Sequence, residues 1–218
     1  MIKVYRAIKT NDLTQDFSEN KACIKLDDKG NPIRPFKMEV CGLNSKSLYQ
    51  VLGMKGHDGR DWRCWSGEPV YFPCQFEGWL KHESDLDGGI GVDIVSNGQI
   101  LRDETGNLQY IKWRAWHGKQ VIGQDKQQVR MGDMVMLADS TGASGGNHLH
   151  ESLKWCDING KAIKTNNGYY GAISPEFYDF ENTFVGDVIE VKKKEMTIKE
   201  LINKLLVNLQ VYLRDIFK

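Results

Sequence analysis

Short segments of alternating apolar and polar residues follow one another along most of the chain, separated by turns rich in Gly, Asn and Asp. Alternation with a period of two places successive side chains on opposite faces of a β-strand. The segments that fit this pattern are 22–26, 36–40, 69–72, 91–95, 110–116, 134–138 and 148–155. Because the runs are short and 22 glycines punctuate them, the pattern predicts a mainly β domain built on an antiparallel sheet.

Two segments carry apolar residues at the three-to-four spacing of an α-helix. The first, 44–52, is short, with Asn44 or Ser45 as a possible cap, and the second, 197–217, is long and has Leu and Ile along one stripe. The segment before the long helix contains three consecutive lysines. We therefore predict a domain at 1–184 with an insertion at about 21–43, a linker at 185–196 and a C-terminal amphipathic α-helix at 197–218.

Charge is balanced overall, with 29 basic and 29 acidic residues, so we expect no nucleic-acid partner. Residues 192–218 hold seven Lys or Arg against three Asp or Glu, a net charge of +4, which marks this tail as a separate element. Its helix would dock on the β domain, self-associate, or lie on an anionic membrane surface, and packing on itself or on a partner is our first expectation. No stretch reaches the roughly 18 apolar residues of a transmembrane helix.

The five cysteines are an odd number without a C-x-x-C pair, which argues against a zinc ribbon and a dense disulfide framework. We expect the cysteines to be free thiols in a reducing cytosol, and one disulfide bond formed after export is the alternative. The first residues contain no apolar run of signal-peptide length. We expect synthesis in the cytoplasm, with any role outside the cell reached by lysis, by export or within a virion.

Two polar clusters about ninety residues apart contain the residue types of a catalytic metal site. His57 and Asp61 lie in a glycine-rich segment that suits a bent loop, whereas His148 and His150 point to the same face of a predicted strand. His117 ends another predicted strand. Histidine nitrogen and aspartate oxygen are good zinc ligands, and a catalytic zinc keeps an open position beside three protein ligands.

Other polar and aromatic residues have simpler interpretations. His82, between Lys81 and Glu83, is an ordinary surface histidine, and Cys64 is a small buried side chain rather than a ligand. The aromatic residues near the clusters belong either to the core or to a substrate groove. They are Trp62, Trp65, Tyr71, Trp79, Trp113 and Trp116.

The two clusters resemble the motifs of the LytM/lysostaphin-type peptidases, the M23 metallopeptidase family. Residues 53–62, G-M-K-G-H-D-G-R-D-W, and the following G-E-P-V-Y are similar to its H-x-x-x-D segment and next strand. Residues 129–150 resemble the family stretch that runs from V-x-x-G-D through S-T-G to H-L-H. The W-H-G sequence at 116–118 resembles the end of the family's Y-x-H strand. The T-Q-D-F-S-E-N sequence at 14–20 is similar to an opening seen in many members. The resemblance covers about residues 13–180.

The resemblance implies a LytM/lysostaphin-like fold and one Zn²⁺ per chain held by His57, Asp61 and His150. It implies that His148 and His117 line the open side as catalytic residues, with His148 as general base and His117 stabilising an oxyanion or leaving amine, or the reverse. Two positions depart from the family. Glu151 stands where a Phe-like residue is usual, and Ser152 replaces a carboxylate whose loss would cost about 10 to 100-fold in metal affinity or activity if it orients a ligand.

By resemblance, the predicted function is a zinc-dependent endopeptidase that hydrolyses peptide bonds in the stem or cross-bridge of bacterial peptidoglycan. H-E-x-x-H is absent, which argues against a thermolysin-type site. The absence of a signal-peptide run, the peptidase-like core and the accessory tail together suggest an endolysin or virion-associated hydrolase of a phage. The alternatives are a non-catalytic LytM-like module that binds cell wall or activates a partner, and a phage structural protein.

Overall fold

The computed structural model describes residues 1–216 and, within the C-terminal helix, the side chains up to Leu206 except that of Lys204. Fifteen strands and two α-helices follow one another in the described chain. The strands are β1 (Ile2–Arg6), β2 (Leu13–Gln15), β3 (Cys23–Lys25), β4 (Met38–Glu39), β5 (Ser45–Ser47), β6 (Arg60–Arg63), β7 (Pro69–Tyr71), β8 (Gly78–Asp85), β9 (Gly89–Ser96), β10 (Leu101–Arg102), β11 (Leu108–Val121), β12 (Gln128–Val129), β13 (Met134–Ala138), β14 (His148–Cys156) and β15 (Tyr178–Phe184). The helices are α1 (Leu48–Val51) and α2 (Val185–Ile216).

A large antiparallel sheet confirms the prediction of a mainly β fold. Its main path runs β12-β8-β9-β11-β14-β6-β2, with β10 and β13 also paired to β11 and β7 paired to β13. The 14-residue β11 is the central strand, pairing with β9 on one side and β14 on the other. The strands predicted at 69–72, 91–95, 110–116, 134–138 and 148–155 are all members of this sheet.

One face of the sheet buries the main core. Trp62 and Trp113 lie within it almost fully buried, together with Phe72, Ile111 and Leu149. Along β14 the alternation places Leu149, Glu151 and Leu153 toward this core, so the intervening residues face the other side. Residues of the second face are therefore available to form a site on a rigid support.

The segment inserted before the metal-motif loop forms a small sheet of its own, in the order β4-β3-β5. Cys23 and Cys41 are joined by a disulfide bond across it, which corrects the expectation of five free thiols. The other three cysteines are free and buried: Cys64, Cys74 and Cys156.

The short helix α1 begins at Leu48, because 45–47 pairs with β3 and Ser47 caps the helix by accepting a hydrogen bond from Gln50 N. The predicted caps Asn44 and Ser45 were wrong.

The C-terminal helix begins at Val185, directly after β15, and not at Thr197. The stretch predicted as a linker, 185–196, is therefore helical. Its first residue, Val185, is buried, whereas the side chains described from Glu190 onward are exposed, including Ile198, Leu201 and Leu205. The predicted end of this stripe at Phe217, and Lys218, lie outside the described residues. Among the described residues, no helix combines the length and the apolar character needed to cross a bilayer.

Candidate metal centre

Two neighbouring strands bring the two polar clusters together. Strand β6 pairs antiparallel with β14, and Asp61 lies directly opposite His150. Directly opposed residues of an antiparallel pair project their side chains from the same face, so these two side chains meet. Asp61 lies within a regular strand rather than on the bent loop that we predicted. The reason is its pairing with β14 on one side and β2 on the other.

His57 reaches the same point from the loop before β6. This loop passes so close to β14 that Gly59 is required: a Cβ there would lie 2.2 Å from the Glu151 carbonyl oxygen and 2.8 Å from His150 Cε1. The glycine is therefore needed for a close backbone approach, one of the uses of this residue.

Three donor atoms of these residues form a nearly equilateral triangle. His57 Nε2 lies 2.9 Å from His150 Nδ1 and 3.1 Å from Asp61 Oδ1, and His150 Nδ1 lies 3.0 Å from Asp61 Oδ1. Ligands of tetrahedral zinc at bond lengths of about 2.0 to 2.1 Å are separated from one another by about 3.3 Å. Since the observed spacing is close to this value and the donors are His, Asp and His, the triangle fits a zinc ion.

A polar group lies on the far side of each imidazole: a hydrogen-bonded carbonyl for His57 and a more distant carboxylate for His150. His57 Nδ1 lies 3.2 Å from the carbonyl oxygen of Asp16, which can only accept, so Nδ1 donates and Nε2 keeps its lone pair. His150 Nε2 lies 3.6 Å from Asp58 Oδ1, and its Nδ1 faces the triangle. Outer partners of this kind orient metal-binding histidines.

Charges around the triangle keep the Asp61 carboxylate ionised, as a metal site needs, and favour a protonated His57 before a metal binds. Burial acts to raise the pKa of Asp61, but His57 and His150 outweigh it and hold that pKa well below its usual value, so the carboxylate is ionised. Burial acts to lower the pKa of His57, and the charge of Asp61 outweighs it and raises that pKa. A metal binding at His57 Nε2 would therefore displace the ring proton that the negative charge of Asp61 stabilises.

His148 and His117 lie beside the triangle with their ring centroids 4.4 Å apart. His148 Nδ1 donates to the Gly146 carbonyl at 2.8 Å, and His117 Nδ1 donates to the Thr141 carbonyl at 2.8 Å. Each ring therefore presents Nε2 as an acceptor, and His148 Nε2 is 3.9 Å from Asp61 Oδ2. The structure thus brings all five predicted site residues to one place.

A bulge in β11 directs His117 into the cleft. The register with β9 shifts between Ala115 and Gly118, and His117 has a left-handed backbone with φ of 66°. Non-glycine residues in this region are uncommon and cluster at functional sites. Burial, followed by the nearby His148 and His150, lowers the pKa of His117 to about 3. His117 is therefore a neutral proton acceptor at neutral pH.

Both departures from the family motif have a structural explanation. Glu151 is buried on the core face of β14, where its carboxylate accepts hydrogen bonds from Trp62 Nε1 at 2.8 Å and Trp113 Nε1 at 3.0 Å. Ser152 Oγ is buried on the site face and finds no hydrogen-bond partner among the described residues. A carboxylate near His150 comes instead from Asp58, which pairs with Lys154 Nζ at 2.6 Å.

Replacing Asp58 by asparagine is expected to weaken zinc binding about tenfold, because the residue that steadies the His150 ring loses its charge. Competition of the folded protein with a fluorescent zinc chelator measures this change. Asp28→Asn, at an exposed position in the insertion, is the matched control and is expected to leave the affinity unchanged. Equal zinc affinities of the Asp58 variant and the wild type would show that Asp58 does not support His150.

The sequence did not reveal the residues that support the site. Asp16, Gly146 and Thr141 contribute backbone carbonyl groups, which have no side-chain signature, and Asp58 was visible only as a neighbour of His57. His82 is an exposed surface histidine, as predicted, and its Nε2 donates to the Gly123 carbonyl, away from the centre. Among the aromatic residues, Trp62 and Trp113 are core and Trp116 lines the cavity beside the triangle.

Comparison with known proteins gives matches among solved structures only. No family model and no curated protein matches the chain. A zinc-containing peptidase from Vibrio cholerae is 19% identical, with 73% of this chain and 37% of that chain covered and a TM-score of 0.45. The catalytic domain of lysostaphin from Staphylococcus simulans is 18% identical, with 56% and 77% covered and a TM-score of 0.42. A prophage-encoded M23 protein from Enterococcus faecalis is 18% identical, with 72% and 89% covered and a TM-score of 0.41.

The matched structures include M23 peptidases. The family that the motifs resemble therefore also occurs among the structural matches. All three TM-scores lie below 0.5, and this chain spans about a third of the length of the Vibrio protein. A function for this chain accordingly has to be argued from the geometry of its own site.

Proposed function

We propose that this protein is a zinc-dependent endopeptidase that hydrolyses peptide bonds in bacterial cell-wall peptidoglycan. The observation that carries the proposal is the triangle of His57 Nε2, Asp61 Oδ1 and His150 Nδ1, at separations of 2.9 to 3.1 Å, with two further histidines presenting free Nε2 atoms beside it. Zinc held there supplies Lewis acidity, which polarises a carbonyl group and acidifies a water molecule. The peptidoglycan substrate rests on the motif resemblance alone.

The chain's own residues supply proton transfer. His117 Nδ1 is bonded to the Thr141 carbonyl, so its Nε2 is left as the acceptor that can take a proton from the attacking water. Its only N–H is used by the Thr141 carbonyl, and a neutral His117 therefore cannot donate to an oxyanion. His148 lies 3.9 Å from the Asp61 carboxylate and can carry a proton to the leaving amine. This is the second of the two role assignments that the sequence left open.

Replacing His148 or His117 by alanine is expected to lower kcat by about 10² to 10⁴-fold, the usual contribution of a general acid or base. Zinc content should stay near one per chain, because neither residue contributes an atom to the triangle. Rates are measured on purified peptidoglycan from several bacterial species, by the release of new amino groups and by mass spectrometry of the products. A variant that loses its zinc together with its activity would contradict the separation of binding and proton transfer.

The same assay distinguishes the enzyme from the non-catalytic alternatives. Zinc-loaded wild type that binds these walls in a sedimentation assay and releases no new amino groups would be a binding or activating module. A structural protein would neither bind nor cleave them. A role in a phage, and action at the wall after lysis or delivery by a particle, stay predictions of the sequence.

A further inference from the structure

The inserted segment lies directly over one side of the metal centre. Its Ile24 and Phe36 form a second small core with Ala143, a residue of the loop that leads into β14. Arg34 adds an ion pair of 2.8 Å to Asp87, in the loop between β8 and β9. The insertion therefore contacts two loops of the main domain, and together they enclose the cleft.

An apolar wall lies beside the triangle. A cavity of about 170 Å³ is lined in part by His57, Asp61 and His150. The wall consists of six apolar side chains of the same lining, which come from the insertion and the segment after it: Ala22, Phe36, Met38, Leu48, Leu52 and Met54. These six side chains offer hydrocarbon and sulfur only, while Tyr49, Asp58 and Asp87 add polar atoms elsewhere in the lining. A polar group placed against the wall would lose its hydration without a hydrogen bond in return, at a free-energy cost.

The size of the cavity limits what the wall can hold. An apolar cavity of about 150 Å³ in a protein takes up one benzene molecule. A cavity of about 170 Å³ shared with the reacting group therefore has room for one aliphatic side chain of up to about the size of leucine. A glycine residue at this place would leave the wall uncovered.

Beyond Met38 the surroundings change. A second groove shares Ala22, Met38 and Asp61 with the cavity, and the rest of its lining includes the polar residues Thr14, Arg63 and Asn147. Met38 and Asp61 therefore lie where the cavity meets a groove that lacks the other residues of the wall. The two sides of a bond cleaved at the centre would contact different side chains.

We infer that the insertion and the segment after it form the specificity element of the protein: their apolar wall binds the aliphatic side chain of the substrate residue next to the cleaved bond. This inference rests on the proposed peptidase function for its catalytic meaning. The binding pocket itself requires only the geometry of the wall. The residues that determine specificity are Phe36, Leu52 and Met54.

Two hydroxamates that differ only in the side chain test the wall in the presence of zinc. N-acetyl-leucine hydroxamate and N-acetyl-glycine hydroxamate carry the same zinc-binding group, so their difference in affinity reports the side chain. Calorimetry on the zinc-loaded protein is expected to give a Kd about tenfold lower for the leucine compound, because its isobutyl group is buried. Equal affinities would overturn the inference.

Matched variants locate the effect. Leu52→Asn, at a half-buried position in the wall, is expected to reduce the leucine preference to less than about threefold while the glycine compound binds as before. Leu43→Asn, at a fully exposed position of the same insertion, is expected to keep the whole preference. A preference that survives Leu52→Asn unchanged would place the binding elsewhere and reject the wall.

A zinc-free measurement separates this inference from the proposed function. Isovaleramide carries the same isobutyl group without a zinc ligand, and acetamide is its control. In the protein stripped of metal, isovaleramide is expected to shift the methyl NMR signals of Leu52 and Met54, whereas acetamide does not. If these shifts are seen and neither hydroxamate binds, the zinc site is rejected and the pocket is retained. If the shifts are not seen, the pocket is rejected, whether or not the protein binds zinc.

Discussion

Replacing His150 by alanine is expected to lower zinc affinity by more than about 100-fold and to abolish hydrolysis. The change removes one of the three donor atoms. Loss of a residue that only supports a metal ligand already lowers metal affinity by about 10 to 100-fold, so loss of the ligand itself should lower it further. His150 Nδ1 lies 2.9 Å from His57 Nε2, so its loss opens the triangle. Metal analysis after dialysis against a weak chelator gives the affinity, and release of amino groups from peptidoglycan gives the activity.

His82→Ala is the matched control for this experiment. His82 is exposed, and its ring contacts the Gly123 carbonyl away from the centre, so its removal should change neither zinc content nor activity. The His150 and His82 variants are therefore expected to differ in both zinc content and activity. Full zinc occupancy in His150→Ala would show that other residues hold the metal.

Replacing Glu151 by alanine is expected to destabilise the fold by about 3 to 5 kcal/mol. The two indole N–H groups of Trp62 and Trp113 would be left without their acceptor in the core, and each unsatisfied buried donor costs about 1 to 3 kcal/mol. Loss of the side-chain volume adds a cavity. Urea unfolding followed by tryptophan fluorescence measures the change in the free energy of unfolding.

Glu181→Ala is the control for Glu151, since Glu181 is half-exposed and pairs with Lys3 at the surface, where an ion pair contributes about 1 kcal/mol or less. Glu151→Phe, which introduces the apolar residue usual in the family motif, is also expected to destabilise because the two indoles stay unsatisfied. An unchanged or increased stability of Glu151→Phe would mean that Glu151 is only a tolerated substitution.

The residues of the proposed metal site could be predicted from the sequence because they lie in two short local motifs. His148 and His150 share a strand face by the period of two, and this expectation is met in β14. The convergence of His57 and Asp61 on His150 depends on the pairing of β6 with β14 across about ninety residues. The sequence provides that pairing only through the family resemblance, since nothing local to Asp61 specifies a strand partner.

Three other features depend on long-range contacts and were missed or misplaced. The long helix extends back to Val185 because its first residue packs against the domain, although the lysine-rich stretch had suggested a linker. Glu151 appears out of place in the sequence, and only the structure shows two tryptophans from β6 and β11 as its donors. The insertion was visible as extra length, but its position over the metal centre follows from contacts to Ala143 and Asp87.

A crystal structure of the protein with one equivalent of zinc, using anomalous scattering at the zinc edge, tests the central claim most directly. We predict a single zinc peak at about 2.0 to 2.2 Å from His57 Nε2, Asp61 Oδ1 and His150 Nδ1, with His117 and His148 outside its ligand shell. A peak held by any other set of residues, or a triangle left empty at equimolar zinc, would contradict the account.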